Sequence, residues 1–270
     1  MLESDADMVL NGQDNSAQDR TRALDAAIEG LYSAFACQKQ HGPVEGCPHC
    51  TSVADDQRLR GKPLRQLNGD DLERFAFKAV STLGTVDDLK HFLPRLLEIA
   101  GRDGGVGGTE FEIVLGKLNY AGWAHWPRAQ RAAIEQCLIA LWQHLLGAFP
   151  ASLGADTCLC GIAQAVDDLS PFLDVWRRET SLPAMQHLAD FIDSNVPMVP
   201  KRRRLRNAFW GERGQQMQQV LDWLVQPATS LQLEEAFFRF AAEPAAAELS
   251  RALDLQEAMR SNITPETGST

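Results

Sequence analysis

The sequence predicts an all-α protein built of antiparallel helical hairpins, stacked as a short solenoid or gathered into an irregular bundle. Apolar residues recur at spacings of three and four through most of the chain, and capping residues, Gly and Pro divide it at helix-length intervals. No segment shows sustained apolar/polar alternation with β-branched enrichment, so a sheet is not expected.

Leu24, Ile28, Leu31, Tyr32 and Phe35 form one stripe, which places an amphipathic helix over residues 18–36. The polar, acidic residues 1–17 before it are expected to be disordered. Asn68 can cap a helix carrying Leu72, Phe75, Ala76, Ala79, Val80 and Leu83, with Gly84 as its end. Thr85 caps the next, whose buried face is Leu89, Phe92, Leu93, Leu96 and Leu97 and whose stop is Gly101. A tight turn between the two makes them an antiparallel pair. Thr109 is expected to cap a helix with Phe111, Val114, Leu115 and Leu118. After "GWAHWP" a long helix carries Ile134, Cys137, Leu138, Leu141, Trp142 and Leu145. One further pair runs through Leu159, Ile162, Val166, Phe172, Val175, Trp176, Leu188, Phe191 and Ile192. Ser170-Pro171 and Ser181-Leu182-Pro183 act as start signals within it. The last runs through Val220, Leu221, Leu224, Leu233, Phe237 and Phe238. The organisation read from this pattern is one helical domain over 18–260, a Cys-rich loop at 37–64 inside it, and a flexible tail at 261–270.

Hairpins begin near Asn68, Thr109 and Ala155, offsets of roughly forty to forty-five residues, the length of a HEAT-like or armadillo-like repeat. The block "FAFKAVSTLGTVDDLKHFLPRLLEIAG" resembles one HEAT unit, and such units stack to leave a concave face for a partner. The segments "EGCPHC", "FAFKAV", "VDDLKHFLPRLLE" and "EIVLGKLNYAGWAHWP" together resemble a group of bacterial hypothetical proteins. That resemblance implies a bacterial origin and transfers no catalytic residue.

Asp and Glu outnumber Lys and Arg by 36 to 26, a net charge of −10, which works against nonspecific nucleic-acid binding and favours a basic protein partner. The opening "MLESDADMVLNGQDNSAQ" has neither a basic n-region nor an apolar h-region, and no stretch reaches about 18 uninterrupted apolar residues. The expectation is a cytoplasmic chain, not bound to membrane, with reduced thiols.

The stretch "EGCPHC" carries the densest chemistry. Cys47-Pro48-His49-Cys50 matches the tetrapeptide of DsbA-type thiol oxidases, but that chemistry needs a strand before the motif, and "QKQHGPVEG" supplies none. Cys37, His41, Cys47 and Cys50 make C-x3-H-x5-C-x2-C, with His49 as an alternative to His41, a donor set suited to a structural zinc ion. A plain loop with reduced thiols is the competing reading, and Cys37 also fits the apolar end of the first helix. Cys158, Cys160 and Cys137 fall on helices as small buried hydrophobes.

"GRDGGVGGTE" has the glycines of a phosphate loop without its Lys-Ser/Thr or its preceding strand, so a connector is expected. "KRRRLR" at 201–206 offers Arg202, Arg203 and Arg204 to a partner, or is a solvated loop. "NYAGWAHWP" brings Trp123, His125 and Trp126 to one turn, where aromatic residues either pack two helices or form a binding patch. The adjacent pairs Asp87-Asp88 and Asp167-Asp168 sit near helix starts, where caps account for them.

No serine-hydrolase elbow or His-Glu-x-x-His motif occurs, and no residue is assigned a catalytic role. The expectation is a noncatalytic protein-binding protein, an adaptor or a toxin-neutralising immunity-type protein. The alternatives are an enzyme with an inter-helical site and a metal or redox sensor using the Cys-rich loop.

Overall fold

The computed structural model describes residues 3–38, 42–46, 53–195 and 204–261. Among these the protein is all-α, with twelve α-helices and one two-stranded ladder of two residues per strand. Contacts divide the chain into two compact units, Met1–His144 and Leu145–Thr270. No helix among the described residues is long and apolar enough to cross a membrane.

The first unit opens with α1 (Glu3–Ala34), which begins well before residue 18 and so runs through the segment expected to be disordered. Extending a helix costs far less than nucleating one, so the packed half, with Leu24, Ile28, Leu31 and Phe35 buried, can carry a polar extension that has no stripe of its own. After α2 (Val53–Arg60) comes α3 (Gly69–Lys78), then α4 (Val86–Asp103). Both α3 and α4 start in full capping boxes: Asn68 with Asp71, and Thr85 with Asp88. Gly101 is not the stop of α4. It lies inside the helix beside Leu141, and Gly104 ends the helix with a φ of 82°. The core of this unit forms where α4 meets α1, α3 and α5 (Phe111–Tyr120), with the Phe75 and Phe92 rings 4.7 Å apart.

The glycine-rich stretch is a small hairpin, against the expectation of no sheet: β1 (Gly105–Val106) pairs antiparallel with β2 (Thr109–Glu110). Thr109 therefore does not cap α5. Its hydroxyl donates to the Glu73 carbonyl, 3.2 Å, and Glu110 holds the cap position without a side-chain bond. The Gly108 amide donates to the Glu73 carboxylate, 3.0 Å, so an anion has no claim on this turn. Gly107 takes a φ of 59° with Glu73 so close that a Cβ would fall 2.7 Å from its own, which makes glycine necessary there. The unit closes with α6 (Arg128–Leu145), whose last residue crosses into the second unit.

The second unit contains α7 (Ala155–Ala165), α8 (Ser170–Arg178), α9 (Leu182–Asn195), α10 (Gly214–Leu224), α11 (Pro227–Arg239) and α12 (Ala246–Ser261). Proline stands in the first turn of α8 and of α11, where its missing N–H costs nothing. Helix α9 packs on α7, α11 and α12. At the centre, Trp176 stacks on Trp223, meets Phe191 edge-on and donates its Nε1–H to the Ala184 carbonyl.

Candidate functional site

Of the five candidate metal ligands, only Cys37 lies within the described residues, and it is exposed. His41, Cys47, His49 and Cys50 lie outside them. Among the described residues, no three His, Cys, Asp or Glu side chains gather into a metal-binding group.

The flanks of the Cys-rich stretch are tied down. His91 Nδ1–H donates to the Gln38 carbonyl, 2.8 Å, one residue beyond Cys37. The Val44 amide donates to Asp56, 3.0 Å, and Asp56 also receives Arg60 Nε–H at 2.8 Å. The Gly84 amide donates to the Glu45 carbonyl, 2.6 Å, and Gly46 bridges Leu83, one residue before Cys47. An open concavity of about 500 Å³ lies here, lined by Glu45, Gly46, Val80, Ser81, Thr82, Gly84 and Thr85.

The floor of that concavity corrects the sequence reading of α3. The helix ends at Lys78, so Ala79, Val80 and Leu83 are not its continuation. They form a turn in which the Lys78 carbonyl accepts from the amides of Ser81, Thr82 and Leu83, and Val80 donates to Leu83. Val80 holds a φ of 64°, a left-handed conformation that a β-branched residue adopts only against strain. Val80→Gly is expected to raise stability by about 1 kcal/mol by removing that clash, less glycine's added chain entropy. A urea midpoint that falls on substitution would show that Val80 packing outweighs the strain.

Trp123 and Trp126 are each only 7% exposed, so the aromatic turn keeps its rings inside the first unit. Trp126 meets Phe35 edge-on at 6.0 Å, carries the Lys90 ammonium 5.0 Å from its ring centre, and donates to the Ala121 carbonyl. His125 is exposed, and Tyr120, five residues before it, is 68% exposed. Of the basic run, Arg204 is exposed, while Arg202 and Arg203 fall outside the described residues.

The surface that sequence reasoning missed is the outer face of α11. Its inner face is fixed by several bonds. Thr229 Oγ1 donates to the Trp223 carbonyl, 2.8 Å, and Gln232 Nε2 donates to the Trp176 and Glu179 carbonyls at the end of α8. Leu233 and Ala236 are buried on the same side. Leu231 and Phe238 face outward, 56% and 69% exposed, with Glu234 and Glu235 exposed between them. Phe238 is not part of the buried stripe that the spacing predicts: its ring meets only Phe237 among described rings, edge-on at 5.4 Å. The available signal was the seven-residue spacing of Leu231 and Phe238, which runs parallel to the buried stripe and off it.

Two titratable groups of the second unit, half-buried Asp156 and buried His187, are bonded into the fold. Asp156, at the start of α7, accepts from Asn207 Nδ2 at 3.2 Å and Trp210 Nε1 at 3.4 Å; burial pushes its carboxyl above the usual range, and those bonds oppose the rise. His187 Nε2–H donates to the Leu145 and Ala148 carbonyls, which leaves Nδ1 buried without a partner among the described residues, and burial lowers the ring's pKa while those bonds oppose the fall. The Asp190 carboxylate acts on both groups through space, adding to the rise at Asp156 and opposing the fall at His187.

No family model matches the chain, and no curated protein or solved structure matches it significantly.

Proposed function

We propose that the chain is a noncatalytic protein-binding protein, an adaptor or a toxin-neutralising immunity-type protein. The observation that carries this reading is the outer face of α11, where two large apolar side chains stand in solvent on a helix whose other side is firmly bonded. Exposed apolar anchors on a rigid element are the usual core of a protein interface. Leu231 and Phe238 touch little of their own chain, so truncating both is expected to leave the thermal midpoint within about 1 °C of wild type. The paired variant L231A/F238A should lose a protein that copurifies with the wild-type chain under crosslinking. If both proteins retain the same partners, this face is not the interface.

The Cys-rich stretch completes the proposal as a structural zinc loop on Cys37, His41, Cys47 and Cys50, with His49 in place of His41 as the variant set. The bonds to Gln38, Val44 and Glu45 support it, because they tie down the chain between Cys37 and Cys47. Protein purified without an affinity metal should carry one equivalent of zinc, and chelation should lower the thermal midpoint by several degrees. Metal-free protein with an unchanged midpoint under chelator would reduce the motif to a thiol-bearing turn.

A further inference from the structure

We infer that the outer face of α11 docks a basic amphipathic helix, an apolar seam flanked on both sides by Lys or Arg. The inference rests on the protein-binding reading above and specifies the partner.

The geometry follows from helix periodicity. Seven residues rise about 10.5 Å and return to within about 20° of the same direction, so Leu231 and Phe238 form one seam along α11. Pro227, also exposed, extends that seam toward the N-terminus. Glu234 and Glu235 sit halfway along it, about 50° to either side of the line joining the two apolar residues. Neither carboxylate is held in an ion pair among the described residues. Arg239, the nearest cation in sequence, donates to the Thr180 carbonyl at 3.3 Å and makes no ion pair with Glu235.

Two apolar groups one heptad apart, with a carboxylate to either side that no described residue pairs, make a short apolar seam bordered by negative charge. In heptad interfaces the seam supplies contact area and the flanking charges choose the partner. An acidic or neutral helix laid on this strip would bury or crowd two carboxylates without compensation, whereas Lys or Arg on both flanks would neutralise them. The surplus of negative charge over the chain favours encounter with the same kind of partner.

The probe is a labelled 18-residue synthetic helix with Leu in heptad positions and Lys on both flanks, beside a counterpart with Glu in place of every Lys, measured by fluorescence anisotropy. Wild-type protein should bind the Lys helix, with affinity falling as salt rises. Both L231A/F238A and E234K/E235K should weaken it about tenfold or more, and E234K/E235K should gain the Glu helix. Equal binding of the Lys helix by wild type and E234K/E235K would overturn the inference.

The copurification experiment separates this failure from that of the broader reading. If L231A/F238A loses the cellular partner and E234K/E235K retains it, the face binds protein of another chemistry. If neither variant loses it, both readings fall. Wild-type self-association that F238A abolishes, seen by sedimentation, would make a second copy of this chain the occupant and would likewise overturn the inference.

Discussion

Trp176→Ala is expected to destabilise the second unit by about 3–5 kcal/mol, the range for deleting a large aromatic side chain from a packed core. Three interactions go at once. The indole is fully buried, stacked on Trp223 with ring centres 5.4 Å apart, and set edge-on to Phe191 at 5.5 Å. Its Nε1–H donates to the Ala184 carbonyl, 3.1 Å. Because α8, α9 and α10 each contribute one of these rings, no single helix can shift inward to fill the void without leaving the other two. Trp176→Phe separates the contributions: it keeps most of the ring contact and forfeits the hydrogen bond, so a loss of about 1–2 kcal/mol is expected. Urea unfolding followed by far-UV circular dichroism measures both. An alanine variant within about 1 kcal/mol of wild type would mean that the three-ring cluster is not the centre of this unit.

Gly84→Val should cost the first unit about 3 kcal/mol, from two sources that add. The residue holds a φ of 73°, where a β-branched side chain costs about 1–2 kcal/mol. Its new Cβ would also lie 2.9 Å from Phe75 Cε2 and 3.2 Å from Val44 Cγ1, two buried side chains, and overpacking of this kind costs about 1–3 kcal/mol. The backbone shift that relieves the clash also breaks the 2.6 Å bond from the Gly84 amide to the Glu45 carbonyl. Accelerated hydrogen exchange at residue 84, together with the lowered urea midpoint, is the expected signature. A lowered midpoint with the residue 84 amide still protected would show that strain alone is felt and that the segment at Glu45 keeps its seat.

The parts of this fold that local chemistry decides could be read from the chain. Asn68 and Thr85 each precede an acidic residue by three, and both form the reciprocal caps that this spacing implies. The buried stripes of α4 and α9 follow the same rule, since a continuous apolar face has nowhere to go but inward. What could not be read depends on residues distant in sequence. Gly101 has the form of a helix stop, but Leu141 packs where its side chain would be and the helix runs on to Asp103. Thr109 has the form of a cap, but Glu73 offers its hydroxyl a backbone carbonyl and its neighbour a carboxylate. Val80 continues the period of α3 and yet turns back, because the capping box at Thr85 and the bridge from Leu83 to Gly46 fix where the chain must go.

The candidate sites divide in the same way. Trp123, His125 and Trp126 were found by composition, but periodicity does not tell which of them points outward, and the structure leaves His125 exposed and both indoles inside. On α11, Phe238 sits beside Phe237 and reads as core from its type alone. It becomes visible as a surface residue only once Gln232, Leu233 and Ala236 are known to define the inner face.

The burial of the helical cysteines gives each unit its own clock. Cys137 is 3% exposed in the first unit, with its thiol pushed up to about 12 by burial, and Cys158 and Cys160 are fully buried in the second. None of the three can meet an alkylating reagent until the helix around it opens, whereas Cys37 is exposed from the start. The rate at which each modified peptide accumulates therefore times the opening of its own unit. A single alkylation series, mapped by mass, would show whether the two units come apart together or one after the other.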